Sequence, residues 1–468
     1  MRKKFYFTTA IDYSNDVIHI GHAYQKVVAD VIVRYHRLLG REVFFLTGVD
    51  EHGAKVQRAA EDNNLDPKIF VDRISTENQK QLTALGVAPD RFIRTTDKDH
   101  IKTVQNFWLK VKERGDIYLA DFEGWYCEGC EEYKTEGDLV DGRCPYHPEM
   151  KIKRLQEKNY FFRWSKYENF LKKYINAHRD FIQPESCRAE MLSFLGQGLN
   201  DISISRQNVS WGIPVPGDSQ QTIYVWFDAL INYLTGAPQG FWPADLHLLG
   251  KDNARWHALL WPAMLKSAGY TLPKTVYSHG FLSLNGQKIS KSLGNIIRPQ
   301  ELVDKFTTDG GRYLLVGCKN LADDGDISWQ KMTNTYNADL ANGLGNLVAR
   351  LSKLCQLSKL KFVIKVPDFS QVAVGEYRQK MEDYHLNEAL GFIWEKIKAV
   401  DRYLNQKKPW EIKDKTLLRD NLRKAVTRVL EIAVLLTPFF PQTSEKIKKI
   451  FTGRGVIPCS PLFLRMKK

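Results

Sequence analysis

Residues 5–53 read FYFTTAIDYSNDVIHIGHAYQKVVADVIVRYHRLLGREVFFLTGVDEHG. The first six, FYFTTA, are aromatic and β-branched, as in a short buried strand. After a polar turn at residues 12–16, apolar residues recur at Ile20, Ala23, Val27, Val31, Tyr35 and Leu38, which is helical spacing. Gly40 stands where a helix ends in a left-handed residue. Residues 43–46 (VFFL) read as a second strand, running into Thr47-Gly48-Val49-Asp50-Glu51-His52-Gly53. Strand, helix and strand in this order predict a right-handed crossover on a parallel sheet. Ligands on such sheets bind at the carboxyl ends of the strands, here residues 9–13 and 48–53.

His19-Ile20-Gly21-His22 opens the helix, with its two imidazoles on one face at the helix N-terminus. Free N–H groups and partial positive charge there suit phosphate oxygens. Gly21, without a Cβ, is expected to let a ligand approach closely. Far downstream, Lys288-Ile289-Ser290-Lys291-Ser292 follows the turn signal Asn285-Gly286. Two ammonium groups and two hydroxyls on one loop can grip a triphosphate as charge grows in a transition state.

Composition narrows the class. Hydrophobic residues make up 43% of the 468 residues, which excludes a disordered chain and allows two to four domains. No apolar run reaches the roughly 18 residues of a membrane span, and the N-terminus has no apolar signal-like core. A cytoplasmic protein, with no membrane partner, is expected. The net charge of +14 points to a polyanion, with nucleic acid as the first candidate. The seven cysteines do not form a secreted disulfide pattern.

Between residues 116 and 200 the α/β alternation stops. Cys127 and Cys130, then Cys144 and His147, form two knuckles across a glycine-containing loop. Three thiolates and one imidazole make a closed tetrahedral Zn²⁺ site, structural because no position is left for water. One zinc per chain is expected. Residues 156–174 mix aromatic and basic side chains, suited either to a lid over a nucleic-acid end or to helix packing.

The HIGH tetrapeptide on a strand–helix turn and KISKS downstream resemble the two signatures of class I aminoacyl-tRNA synthetases. Residues 47–57 (TGVDEHGAKVQ), 224–233 (YVWFDALINY) and 250–265 (GKDNARWHALLWPAML) resemble methionyl-tRNA synthetases in particular. The resemblance runs the length of the chain. It implies an α/β fold: a Rossmann-type parallel-sheet catalytic domain, an inserted zinc-knuckle connective domain and a C-terminal α-helical bundle. The boundaries expected are a first catalytic half at 1–115, the insertion at 116–200, a second catalytic half at 201–275, a KISKS linker at 276–333 and an anticodon-binding bundle at 334–468.

It further implies an enzyme that activates L-methionine with ATP and transfers it to tRNA(Met), Mg²⁺ arriving with the ATP. His19, His22, Lys288 and Lys291 would be catalytic. Gly21, Gly250, Lys251, Asp252, Ser290 and Ser292 would bind ATP. Ile11, Tyr13, Trp226, Leu230, Tyr233, Trp256 and His257 would line the methionine side chain, and Asp50 would hold its ammonium. Aromatic walls suit a thioether through sulfur–aromatic contact. Leu230 stands where proline is frequent in the family, and Ile202 where some members carry tryptophan.

From about residue 334 helical periodicity takes over, with Leu340, Leu344, Leu347, Leu351 and Leu354 as a core stripe. Asn346 and Arg350 share an adjacent face, and Trp410 follows a helix-ending Pro409. By resemblance these three would read the CAU anticodon. No barrel-like tail follows, so a monomer is expected. The compact knuckle argues against the cysteine enzyme, whose zinc lies in the active site. The intact signatures argue against a non-catalytic tRNA-binding relative.

Overall fold

Alternation along the first strand decides how the core divides. The structure, a computed structural model, describes residues 3–127, 129, 132–134, 136–145, 147–290, 293–359, 364–372, 375–452 and 456–466. In β1 (Lys4–Thr9), Phe5 and Phe7 enter one hydrophobic cluster while Tyr6 enters another, because successive side chains leave opposite faces of a strand. The sheet therefore has two cores, and β1 is buried between them.

The strand is continued by β2 (Asp12–Tyr13). Thr8 lies opposite Leu46, but Asp12 lies opposite Val49, so an extra residue bulges out at positions 10–11. Helix α1 (Ile20–Leu38) and β3 (Glu42–Asp50) complete the predicted crossover unit. Gly40 takes a φ of 75°, its N–H donates to Arg37 O, and the Arg41 N–H donates to His36 O, which is the glycine-ended cap that the sequence predicts. Gly48 in β3 is required by close approach, since a Cβ there would lie 2.0 Å from Ile93 O.

Helix α2 (Pro67–Ala84), β4 (Arg91–Arg94), β5 (Ile182–Gln183), β6 (Leu246–Gly250) and β7 (Val276–His279) follow. All pairings in this seven-stranded sheet are parallel: β3 carries β4, β1 lies between β3 and β6, and β7 and β5 lie beyond β6. The chain thus runs outward from β1 through β3 to β4, then crosses to the far edge at β5 and returns to place β6 beside β1 and β7 between β6 and β5. The crevice at the carboxyl ends of β1 and β6 is where such sheets bind ligands.

Strand β5 comes from within the 116–200 stretch, whose strands Ile117–Cys127, Glu132–Lys134 and Lys153–Phe162 form a separate antiparallel sheet with Ile202–Ser203 just beyond it. The strand Asp218–Ile223 belongs to a small antiparallel sheet of its own, apart from the parallel one. Helix α3 (Pro299–Val316) packs against α1, and the remainder of the chain is mainly helical. Leu340, Leu344, Leu347 and Leu351 are buried and Leu354 is partly buried, in a core continuous with that beneath α1. No helix among the described residues is long and apolar enough to cross a membrane.

The sequence predicts a one-sided apolar stripe on α1, yet Gln25, Lys26, Asp30 and His36 are buried as well. The helix is enclosed by the sheet on one side and by α3 and the helical region on the other, so its polar residues need internal partners. Asp30 meets Arg312 of α3 at 2.7 Å, both with no exposed side-chain surface. Arg312 also donates to Leu85 O, Pro438 O and Phe439 O, stitching α1 and α3 to the last helical turn region.

Removing Arg312 leaves Asp30 paired with Arg34 alone, at 2.6 Å, and takes the donor from three buried carbonyls. Arg312→Met should lower stability by about 3–5 kcal/mol, read as an earlier urea midpoint in tryptophan fluorescence. Adding Asp30→Asn should recover part of that loss.

Candidate active site

The turn at residues 19–22 is a self-sufficient cap. His19 is the N-cap of α1, and its Nδ1 accepts from the Gly21 N–H at 3.0 Å. The His19 N–H in turn donates to His22 Nδ1 at 3.3 Å, and the two rings lie 4.1 Å apart. With both Nδ1 atoms accepting, the protons of the neutral rings sit on Nε2, so each imidazole offers one N–H donor to a ligand. Burial first, and then nearby positive charge from His22 on His19 and from Lys26 on His22, push these imidazoles down to about 3 and about 4. A Cβ on Gly21 would lie 2.7 Å from the His19 ring. The glycine is thus required by the cap itself, where the sequence reading gave that space to a ligand.

An aromatic cage lies beside this turn. Trp226 and Trp256 stack at 4.9 Å, with Tyr13 and His257 each edge-on to Trp226 at 6.3 Å. Tyr233 donates its hydroxyl proton to His257 Nε2 at 2.7 Å, because His257 Nδ1 donates to Asn253 O at 2.9 Å. Burial keeps His257 neutral, at about 4. Leu230 and Tyr233 are buried in the same core, and Ile11 and Ile202 are partly buried against it. Trp256 and His257 begin a π-helical stretch, Trp256–Leu260, a distortion that concentrates at functional sites and that no sequence period reveals. Asp50 is buried at the end of β3, where its carbonyl accepts from the Ser14 N–H at 2.8 Å.

Two buried polar groupings around the cage escape the sequence reading. Asp228, two residues after Trp226, accepts from His52 at 2.7 Å and His100 at 2.8 Å. Burial raises its pKa, but the two imidazoles outweigh that and hold the carboxyl below its ordinary value. This ties the Trp226 helix to the end of β3, two residues past Asp50. The second grouping is Lys26, fully buried, which donates to Ala10 O at 2.5 Å and Gln25 Oε1 at 2.7 Å and pairs with Asp12 at 3.1 Å. It holds the bulge between β1 and β2, and with it the approach to Ile11 and Tyr13.

On the other side of the crevice, a Cβ on Gly250 would lie 2.7 Å from Asp252 Oδ1, so the carboxylate folds back over the glycine. Lys251 pairs with Asp324 at 2.6 Å and lies over the Phe281 ring. The hairpin Leu282–Leu284 to Gln287–Lys288 turns on Asn285 and Gly286, both at positive φ, the turn that Asn-Gly favours. Its exit is braced by Asn295, which accepts from the Ser290 N–H and donates to Lys288 O, each at 2.9 Å. Beyond it, the Ile20 N–H at the start of α1 donates to Ile297 O at 3.0 Å. Lys291 and Ser292 lie outside the described residues.

In the knuckle, the ligand atoms of Cys127, Cys144 and His147 lie within 4.8 Å of one another. Cys127 Sγ is 3.8 Å from His147 Nδ1, and a Cβ on Gly129 would lie 2.5 Å from the His147 ring. Burial and neighbouring lysines push His147 down to about 4, leaving the imidazole neutral as a metal ligand must be. Two thiols and a neutral imidazole fit a soft, tetrahedral ion. Cys130 lies outside the described residues. In the helical region Asn346 is exposed and Trp410 is 51% exposed. Arg350 lies over the Trp410 ring at 5.3 Å and pairs with Asp401 and Asn405 at 3.0 and 2.6 Å, so its fork is positioned at the surface beside the indole.

The depressed pKa values of His19 and His22 mean that the unfolded chain, with values near 6.5, binds more protons than the fold. Their contribution to stability is therefore complete above about pH 6.5 and is lost as pH falls toward about 3–4. Histidine NMR signals from these two rings should stay in the neutral form at about pH 5, and unfolding should ease on further acidification.

The family profile described as tRNA synthetases class I (M) matches residues 5–154 and 148–352. The methionine–tRNA ligase of Thermotoga maritima is 42% identical over 95% of this chain and 74% of its own length. That of Synechocystis sp. is 41% identical over 95% of this chain and 88% of its own. Among solved structures, Mycobacterium tuberculosis methionyl-tRNA synthetase in complex with methionyl-adenylate matches with a TM-score of 0.93 at 35% identity, covering 99% of this chain and 100% of that one. A histidine cap, an aromatic cage and a lysine–serine hairpin around one parallel-sheet crevice agree with that likeness, and the chain belongs to the class I methionyl-tRNA synthetase family.

Proposed function

We propose that the crevice activates L-methionine with ATP and passes the methionyl group to the 3′ end of tRNA(Met). The observation that carries this reading is the aromatic cage of Tyr13, Trp226 and Trp256, with Asp50 opposite Tyr13 in the sheet. The thioether is received between Tyr13, Trp226 and Trp256, with Ile11, Leu230, Tyr233 and His257 closing the pocket, and Asp50 takes the ammonium in a charge-assisted bond. Selection by an apolar pocket is modest, about 1–3 kcal/mol per methylene.

A methionine carboxylate oxygen forms a bond to the ATP α-phosphorus as the bond to the β-phosphate oxygen breaks and pyrophosphate leaves. Methionyl-adenylate is the product. A ribose hydroxyl of the tRNA 3′ end then attacks the acyl carbon and releases AMP. The chain's contribution to the first step is positioning and charge stabilisation. His19 and His22 donate Nε2–H bonds to phosphate oxygens at the N-terminus of α1, with Gly21 keeping that cap in shape. Lys288 and Lys291, with Ser290 and Ser292, hold the pyrophosphate portion, and Gly250, Lys251 and Asp252 hold the nucleoside end. Mg²⁺ accompanies the ATP phosphates and offsets their charge.

Cys127, Cys130, Cys144 and His147 would hold one structural Zn²⁺, supported by the converging donors of the described three. Asn346, Arg350 and Trp410 would read the anticodon, supported by the exposed indole stacked on a positioned guanidinium.

Pyrophosphate exchange across a panel of amino acids tests the reading. Strong exchange with methionine alone is expected, and exchange with another amino acid, or with none, would overturn it. Lys291→Ala should slow the methionine-dependent exchange by about 10²-fold or more with methionine binding unchanged, and an unaltered rate would remove that residue's role. Elemental analysis of purified protein should find zinc at about one equivalent per chain. Its absence, with stability unaffected by chelators, would remove the metal site.

A further inference from the structure

In-line transfer requires the cap at His19 and the arm at Lys288–Ser290 to keep a fixed spacing on one triphosphate, although they are remote in sequence. Residues 16–20 and 297–300 are joined by more than the Ile20–Ile297 backbone bond. The Arg298 guanidinium donates to Val17 O and, at 3.3 Å, to Ile18 O, and it pairs with Asp16 at 3.0 Å. Those carbonyls stand just before the N-cap of α1, where no helical N–H reaches them. A third element grips both sides. Asn78 and Gln81 on one face of α2 accept from the Ile18 N–H at 2.9 Å and the Gln300 N–H at 2.8 Å. Arg298 itself is the N-cap of α3, its N–H donating to Glu301 at 2.9 Å.

We propose that Arg298 is a positioning residue for adenylate formation, tying the segment that braces Lys288 and Ser290 to the turn that carries His19. The inference rests on the functional reading above and goes beyond it. A planar fork can serve two carbonyls and a carboxylate at once, which a lysine ammonium does not reproduce in the same geometry. Described residues between Arg298 and the hairpin are pinned at two points: Asn295 holds Lys288 and Ser290, and Ile297 is bonded to Ile20. Loosening Arg298 therefore changes the spacing across the triphosphate and leaves the methionine cage, whose residues it does not touch, as it was.

The test is methionine-dependent pyrophosphate exchange with Arg298→Ala, Arg298→Lys and Asp16→Asn, together with methionine binding read from intrinsic tryptophan fluorescence without ATP. Arg298→Ala should lower kcat by about 10–100-fold, since small misplacements cost that much, while methionine affinity stays within about twofold. Arg298→Lys and Asp16→Asn should fall in between. A kcat within about twofold of the unsubstituted protein, or a methionine affinity that falls as far as kcat, would overturn the proposal. Should Arg298→Ala not fold, Arg298→Lys and Asp16→Asn decide it, and full kcat in both overturns it. No methionine-dependent exchange by the unsubstituted protein would instead remove the functional reading, and this inference with it.

Discussion

β1 is hydrogen-bonded along both edges, to β3 on one side and β6 on the other, and all three strands run the same way. A parallel ladder of this kind carries every carboxyl end to the same edge of the sheet. Residues from distant parts of the sequence are therefore delivered to one crevice: Tyr13 after β1, Asp50 at the end of β3, Gly250 at the end of β6 and Phe281 after β7. The bulge between β1 and β2 turns this edge into a pocket, and Lys26 holds the bulge from below. Replacing the parallel order by any antiparallel one would scatter these residues to both edges.

Histidines 19, 22 and 257 are all held neutral by burial, so they act as fixed hydrogen-bond donors or acceptors, with tautomers set by their partners. Several formal charges below the surface are paired: Lys26 with Asp12, Asp228 between His52 and His100, Asp30 with Arg312. A buried pair adds little net stability, but each one fixes the geometry of what it joins. Here the joined pieces are the β1–β2 bulge, the Trp226 helix and the helical region.

Much of this was legible in the sequence, for physical reasons that differ by residue. The strand–helix–strand unit shows in its periods, and the HIGH and KISKS runs mark where chemistry is expected. The cage residues followed from likeness to a family, since Tyr13, Trp226 and Trp256 read alone are only core aromatics. The groupings that hold the site were hidden. Lysine is almost never fully buried, so Lys26 reads as one more polar residue on a helix. Asp228, His52 and His100 meet only once three elements pack. The bonds from Arg350 to Asp401 and Asn405, on a later helix, leave no trace in the periodicity of its own helix. The π-helical stretch at Trp256–Leu260 leaves no periodic trace. Sequence patterns report one element's own face, while these contacts depend on the register between elements.

In the proposed complex, one crevice would receive the methionine side chain in the Tyr13–Trp226–Trp256 cage and the adenylate phosphate at the His19–His22 cap. A crystal structure of this protein with a non-hydrolysable methionyl-adenylate analogue tests it most directly. The account predicts the thioether sulfur against the two stacked indoles, the ammonium on Asp50 and the phosphate analogue within hydrogen-bond reach of the Nε2 atoms of His19 and His22. An analogue bound with its side chain outside that cage, or with its phosphate group away from the cap, would contradict it.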